Sequence, residues 1–252
     1  MNNTLAEQNS SSAVPGNTIL NWQNYFCFNQ HHLIDLPWDD AYALTEIEKQ
    51  TIAKSIQKFQ LGESSEGTHL MKLARDYANR CGDSMLIETM KLFIGEEQRH
   101  ARDLGRFMQQ QGIALTRKDW TDTIFRRLRK LTNLEVAVIT LLTAELVALV
   151  YYPALGKATR SHLLYRLCQQ IQKDELAHLY FQIFLLHQIR QNRSKLSQKA
   201  ITLTHRFFYS LVLLIVWFDH LPVYRASGYN FWQFWQESQR NFTQIIILSS
   251  RR

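Results

Sequence analysis

Two copies of a Glu-x-x-His spacing, each preceded by a further acid, are the part of this chain that points most directly to chemistry. They lie in segments 96–100 (EEQRH) and 174–178 (DELAH). Residues three positions apart share one face of a helix, so each copy directs a carboxylate and an imidazole to the same point. The sequence therefore predicts two metal-binding pairs, which are Glu97 with His100 and Glu175 with His178.

Both copies interrupt an apolar stripe. Around the first, Leu86, Met90 and Phe93 precede the motif at steps of four and three, and Leu104 continues the series after it. The second copy has the same stepping between residues 164 and 185. Such stepping is typical of the buried face of an amphipathic helix, where an ionised carboxylate is costly unless it is paired or binds a cation. The setting favours metal ligands over solvated surface acids.

Two further stripes, over residues 52–77 and 134–155, each carry an acid in phase with the apolar residues. These acids are Glu63 and Glu145. One Glu from each of two helices, with a Glu-x-x-His pair from each of two others, is the ligand scheme of di-iron and di-manganese carboxylate bundles. The agreement of four helices is more specific than either motif alone.

Across residues 43–190 the chain resembles the ferritin-like superfamily of di-iron carboxylate proteins. Segment 62–64 (GES) is similar to the iron-binding segment of rubrerythrins, and the chain length and ligand order are similar to those of aldehyde-deformylating oxygenases. Ala177 stands where Arg99 stands in the first motif, a departure from bacterial multicomponent monooxygenases. The ligands that the resemblance implies are Glu63, Glu97, His100, Glu145, Glu175 and His178.

Four other residues are candidates for supporting roles. Glu96 and Asp174 each lie four positions before a motif histidine, where a carboxylate is expected to bind the ring nitrogen that does not face metal; solvated surface acids are the alternative. Glu66 lies on the apolar stripe of residues 52–77 and is a candidate extra ligand. Tyr152 lies on the apolar stripe of residues 134–155 and is a candidate hydrogen-bonding or redox-active phenol, with an ordinary core tyrosine as the alternative.

The fold expected is all-α: a ferritin-like four-helix bundle with one long crossover and extra helices at both ends. Hydrophobic residues make up 46% of the 252 residues, only four are Pro, and no period-two strand pattern is evident. The predicted organisation has four parts, which are a disordered tail at 1–20, an aromatic-rich segment at 21–42, the di-iron bundle at 43–192 and a helical appendage at 193–252. The appendage is interpreted as packing on the bundle, with a substrate lid or a homodimer surface as alternatives.

The bundle helices have recognisable ends. A capping box at Thr45 opens the first helix, which is predicted to run unbroken to Arg80. The second is expected to end near Gln111. A crossover with a short helix at 119–131 leads to the third, 134–155, and the fourth runs over 161–191. Two more helices are predicted at 200–220 and 230–247.

Composition limits the compartment and the partners. Three scattered cysteines form no metal knuckle or disulfide framework, so a cytoplasmic protein is predicted, and electrons are expected from a separate donor protein because the rubredoxin-type centre of rubrerythrins is missing. The charge of +7 leaves nucleic acid, anionic lipid or an acidic donor open, but no nucleic-acid motif accompanies it, so no nucleic-acid partner is predicted. The apolar run 207–218 is too short to span a bilayer, so no transmembrane span is predicted and the run is interpreted as a buried helix.

Four carboxylates and two imidazoles suit Fe or Mn better than Zn or Cu. The resemblance implies two Fe ions, with Mn or a mixed Fe/Mn pair as alternatives, and activation of dioxygen or peroxide. The function expected is that of a non-haem di-iron oxidoreductase, an oxygenase, oxidase or desaturase acting on a small or fatty apolar substrate such as a fatty aldehyde. The alternatives are a rubrerythrin-like peroxide reductase, a ferritin-like iron-binding or storage protein, and a purely structural bundle.

Overall fold

The protein is all-helical over the residues that its computed structural model describes, 18–65, 67–117 and 133–250, with side chains to residue 246. This confirms the predicted class. Glu66 and the predicted crossover helix at 119–131 lie outside these ranges. The helices are α1 (Ile19–Asn29), α2 (Glu46–Glu63), α3 (Thr68–Cys81), α4 (Met85–Gln110), α5 (Leu134–Lys157), α6 (His162–Arg190), α7 (Lys195–Asp219), α8 (Leu221–Ala226) and α9 (Phe231–Ser250).

The first bundle helix is broken, so the prediction of one continuous helix is wrong. α2 ends at Glu63, and α3 begins five residues later. The Ser64 hydroxyl donates to the carbonyl of Leu61 (2.7 Å), and Gly67 adopts a left-handed φ of 66° before α3. Ser side chains compete with the helical hydrogen-bond ladder, and Gly reaches positive φ without steric cost. The composition of segment 64–67 (SSEG) therefore ends the helix just after a predicted ligand.

Gly67 gives a direct test of this break. A Cβ at Gly67 would lie 2.7 Å from Cδ1 of Ile94, and its φ disfavours any L side chain. We expect Gly67→Ala to lower the free energy of unfolding by about 2–4 kcal/mol through left-handed strain and overpacking. Gly62→Ala is the matched control, since it lies in α2 with nothing within 4 Å of an added Cβ and should be neutral or stabilising. Urea unfolding of both variants measures the difference, and equal stabilities would contradict this account.

α1 covers one side of the bundle. It begins at Ile19, inside the segment predicted as a tail, with the Thr18 side chain accepting a hydrogen bond from the Asn21 backbone. Trp22 and Phe26 are fully buried, and their rings lie 5.6 and 5.4 Å from the ring of Phe181 on α6. Burial of two aromatic side chains fixes α1 against α4 and α6.

α5 is the central helix and packs along the length of α6. Asn133 caps its first turn by accepting a hydrogen bond from the Val136 backbone. Among the described helices, α5 and α7 are long and apolar enough, by length and composition, to cross a membrane. In α5, 78% of the most apolar stretch is buried inside the protein, against 28% in α7. A core helix of a soluble protein passes the same test, and α5 has the burial of such a helix.

The prediction that 207–218 is a buried helix is wrong for one of its faces. Phe207 is 67% exposed and Phe218 is 72% exposed, whereas Tyr209, Leu213 and Trp217 on the opposite face are buried. The run is apolar all round, and a sequence pattern of that kind does not show that only one side is covered. α7 also begins at Lys195, five residues before the predicted start.

His205 anchors the buried face of α7 on α5. The Thr143 hydroxyl donates to Ile139 O (2.9 Å), so its oxygen accepts from His205 Nε2 (3.0 Å). Burial, aided by the charge of Arg190, lowers the pKa of His205 to about 4.

This histidine makes stability depend on pH. Between its unfolded pKa of about 6.5 and its folded pKa, the unfolded chain binds the proton and the folded one does not. Stability is therefore retained above pH 6.5 and falls by about 1.4 kcal/mol per unit as the pH drops toward 4. We expect His205→Gln to remove this pH-dependent part of the free energy of unfolding, measured by urea titrations at pH 7, 5.5 and 4.5. An unchanged slope in the variant would show that other groups carry the acid sensitivity.

Candidate metal centre

The six predicted ligands lie together in the interior as two overlapping groups. One group is Glu63, Glu97, His100 and Glu175; the other is Glu97, Glu145, Glu175 and His178. In each group, one ligand atom per residue lies within 4.8 Å of all the others. Glu97 and Glu175 belong to both groups. The geometry therefore offers two adjacent cation sites that share two carboxylates.

Four helices deliver these side chains. Glu63 is the last residue of α2, and Glu145 lies in the middle of α5. α4 and α6 each supply a carboxylate and an imidazole from one face, as the three-residue spacing predicts. The side chain of Glu97 is 18% exposed, while His100, Glu145, Glu175 and His178 are buried.

The inward-facing atoms are close together without bonding one another. His178 Nδ1 lies 2.8 Å from Glu97 Oε1 and 3.5 Å from Glu145 Oε2, in orientations that make no hydrogen bond. Four buried atoms of the cluster lack a hydrogen-bond partner, namely Glu97 Oε1, His100 Nδ1, Glu145 Oε2 and His178 Nδ1. Buried polar atoms without partners are costly, and all four are of types that ligate metal ions and lie on residues of the two overlapping groups. A bound cation fits this arrangement.

The carboxylates cannot all ionise without added positive charge. Burial raises the pKa of Glu63 and Glu145 well above the ordinary value, and the neighbouring Glu97 and Glu175 charges raise both further. Burial acts the same way on Glu175, but the nearby Glu145, His100 and His178 side chains outweigh it and lower the Glu175 pKa. Glu63 also ends a helix, where the partial negative charge of the dipole opposes a carboxylate.

The surrounding carboxylates raise the pKa of both imidazoles. Burial alone lowers the pKa of His100, but the hydrogen bond to Asp174 and the nearby Glu175 carboxylate outweigh burial and raise it to about 10. Glu145 has the corresponding effect on His178, whose pKa lies well above the ordinary value. Two divalent cations would balance the four carboxylates of the two groups and leave both imidazoles neutral.

Each supporting acid contacts the histidine of the other helix, and not that of its own helix as the spacing predicts. The sequence places Glu96 and Asp174 near the histidines of their own helices; instead, His178 Nε2 lies 2.9 Å from Glu96 Oε2, and His100 Nε2 lies 3.1 Å from Asp174 Oδ2. Since Nδ1 of each ring faces the cluster, Nε2 points outward to the opposite helix. Each histidine is therefore oriented by an acid of the other motif.

Asn29 joins both supporting acids and was missed by the sequence analysis. Its side-chain amide donates to Glu96 Oε1 (2.6 Å) and to Asp174 Oδ1 (2.8 Å). Arg99 forms an ion pair with Asp174 (2.6 Å), and Gln170 donates to the same carboxylate (2.8 Å). Asn29 ends α1 far from either motif in sequence, so no spacing signal marks it.

Each unshared glutamate accepts a hydrogen bond from a neutral donor. Tyr152 donates to Glu63 Oε1 (2.6 Å), which places this candidate phenol beside the cluster. Gln182 Nε2 donates to Glu145 Oε1 (2.7 Å) and leaves Oε2 facing His178. Gln182 lies on the apolar stripe of α6, where a buried amide one turn after the motif histidine was the available signal.

Models of protein families, curated proteins and solved structures were all compared with this chain, and none of the three comparisons found a match.

Proposed function

We propose that the protein holds a dinuclear metal centre whose two ions would share Glu97 and Glu175 as ligands. The observation that carries this proposal is the sharing of these two carboxylates by two groups of buried ligand atoms. Glu63 and His100 complete one site, and Glu145 and His178 complete the other. The orphaned nitrogen and oxygen atoms of the cluster support the same assignment.

The donor set favours iron or manganese. Carboxylate and imidazole ligands without thiolate suit Fe or Mn, and carboxylates tolerate changes of oxidation state by shifting between terminal and bridging modes. The ligand scheme is that of carboxylate-bridged centres in four-helix bundles, so we propose two Fe ions in a ferritin-like bundle. Two divalent ions also match the charge of the four carboxylates.

The activity we propose is that of a non-haem di-iron oxidoreductase. Iron held this way supplies activation of dioxygen or peroxide, and the chain supplies orientation and exclusion of water. With metal on the Nδ1 side, His100 and His178 would carry their proton on Nε2. The Nε2–H of His100 would donate a hydrogen bond to Asp174, and that of His178 to Glu96, which fixes both rings. Tyr152 keeps its hydroxyl proton and donates a hydrogen bond through it to Glu63.

Aromatic side chains cover the His178 side of the centre. The ring of Phe93 lies 4.7 Å from the imidazole of His178, and that of Phe26 lies 6.0 Å from it. Such apolar contacts exclude water and strengthen the electrostatic interactions inside. We propose a small or fatty apolar substrate and a separate electron-donor protein for this centre.

Metal content per chain tests the proposal. Protein purified without oxygen from iron-replete cells is expected to hold about two Fe ions per chain, and its near-ultraviolet and visible absorption should change when dioxygen is added. Turnover of fatty aldehydes, acids or aromatics would then define the substrate. Dominant turnover of peroxide would favour a peroxide reductase, and cage-sized oligomers with many irons per chain would favour storage. Absence of bound metal after reconstitution with Fe²⁺ and with Mn²⁺ would overturn the proposal.

A further inference from the structure

One long apolar stripe remains uncovered on the outer face of α7. Leu203 is 69% exposed, Phe207 67% and Phe218 72%. The positions recur at helical spacing, so they form one continuous surface over 23 residues, about 33 Å from the first to the last. The α7 stripe consists of Leu196, Leu203, Phe207, Leu211, Leu214 and Phe218.

The other face of α7 is held inside the protein. His205 bonds to Thr143 on α5, and the Tyr209 hydroxyl donates to the carbonyl of Ser238 on α9 (3.3 Å). The ring of Trp217 stacks on that of Tyr224 at 5.6 Å. A helix fixed along one side and apolar on the other is suited to lie in an interface, with its axis along the surface, and not to cross a bilayer.

Basic side chains border the stripe along one edge. Lys199 and Arg206 are exposed, and each lies three residues after a stripe leucine. Arg206 also lines an open groove of about 610 Å³ between α7 and α9, together with Arg240 and Trp235. Two guanidinium groups in a groove beside an apolar stripe match the phosphate of a lipid head group above acyl chains.

Each of these two helices carries a single acid, and both carboxylates already have a partner. Asp219 is the single acidic residue of α7, and its carboxylate is paired with Lys58 (2.7 Å). Glu237 is the single acidic residue of α9 and accepts from the Tyr229 hydroxyl (2.8 Å). A second copy docked on the stripe would bring the same basic edge to the interface, where the one acid of each helix already has a partner. Charge complementarity therefore favours an anionic lipid surface over self-association.

We propose that the α7 stripe binds the surface of an anionic phospholipid membrane. The apolar side chains enter the boundary between head groups and acyl chains, while Arg206 and Arg240 contact lipid phosphates. The bundle stays in the aqueous phase. This inference does not depend on the proposed metal chemistry, because none of these residues belongs to the metal centre.

Vesicle flotation of the full chain tests the proposal. With vesicles of phosphatidylcholine and phosphatidylglycerol at 3:1, the wild-type chain is expected to bind at least about tenfold more strongly than with phosphatidylcholine alone, and 0.5 M salt should weaken binding. Phe207→Glu should lower the partition coefficient at least about tenfold. Arg206→Ser with Arg240→Ser should remove the preference for the anionic lipid.

Ile47→Glu is the matched control for the apolar substitution, since Ile47 is 77% exposed and lies on α2, which contributes no residue to the stripe. It should bind vesicles like the wild-type chain, and circular dichroism should show equal helix content in all variants. Absence of wild-type binding, or equal loss in Ile47→Glu and Phe207→Glu, would overturn the proposal. A wild-type dimer that Phe207→Glu converts to a monomer, with no vesicle binding, would assign the stripe to self-association and overturn it as well.

Discussion

Glu175→Gln is expected to remove both metal ions from the centre. Glu175 belongs to both ligand groups, so replacing one carboxylate oxygen by an amide nitrogen weakens each site at once. It also takes one negative charge from a buried cluster whose attraction for cations depends on charge. Loss of a residue that only supports a ligand costs about 10–100-fold in affinity, so loss of a shared ligand should cost at least about 100-fold at both sites.

Replacing a glutamate that belongs to one group provides the matched comparison. Glu145→Gln should leave about one ion per chain, because the group containing His100 keeps all its ligands. Glu88→Gln, which alters an exposed acid paired with Lys91, should leave metal content unchanged. Elemental analysis after reconstitution and dialysis measures the three variants, with circular dichroism to verify the helices. Equal metal loss in Glu145→Gln and Glu175→Gln would contradict the sharing of Glu175.

The residues that the sequence marked as ligands do lie together in the structure, for a physical reason. A carboxylate on a buried helical face needs a partner, so acids in phase with apolar stripes are visible in one dimension. Glu63 and Glu145 were predicted as ligands in that way, although neither belongs to a Glu-x-x-His pair. The helical class and the positions of α4, α5 and α6 follow from the same periodicity.

Features that depend on contacts between helices were not accessible in this way. Asn29 bonds to Glu96 and Asp174, residues 67 and 145 positions away. Such a contact leaves no local pattern. The outer face of α7 was misjudged for a related reason, because an apolar run carries no information about which side its neighbours cover. The break after Glu63 did have a local signal in Ser64 and Gly67, but the apolar stripe continued across it and outweighed that signal.

The second large effect is expected from replacing a supporting acid, because each of these acids orients the histidine of the other helix. Asp174 accepts from His100 Nε2 and pairs with Arg99, so Asp174→Asn removes the charge that orients His100 and leaves a largely buried guanidinium without its partner. We expect about 10–100-fold weaker binding at the site that contains His100 and a loss of about 3–5 kcal/mol in stability. Glu96→Gln should weaken the site that contains His178 in the same way.

Single-site backgrounds separate the two helices. In Glu145→Gln only the His100 site remains, and in Glu63→Gln only the His178 site remains. Titration calorimetry with Mn²⁺ is expected to show the full loss for Asp174→Asn in the first background and less than about threefold loss in the second. The reverse pattern would mean that Asp174 supports the histidine of its own helix, as the four-residue spacing predicts. The crossed pattern would show that each motif supplies the acid that orients the imidazole of the other, so neither helix forms a working half-site by itself.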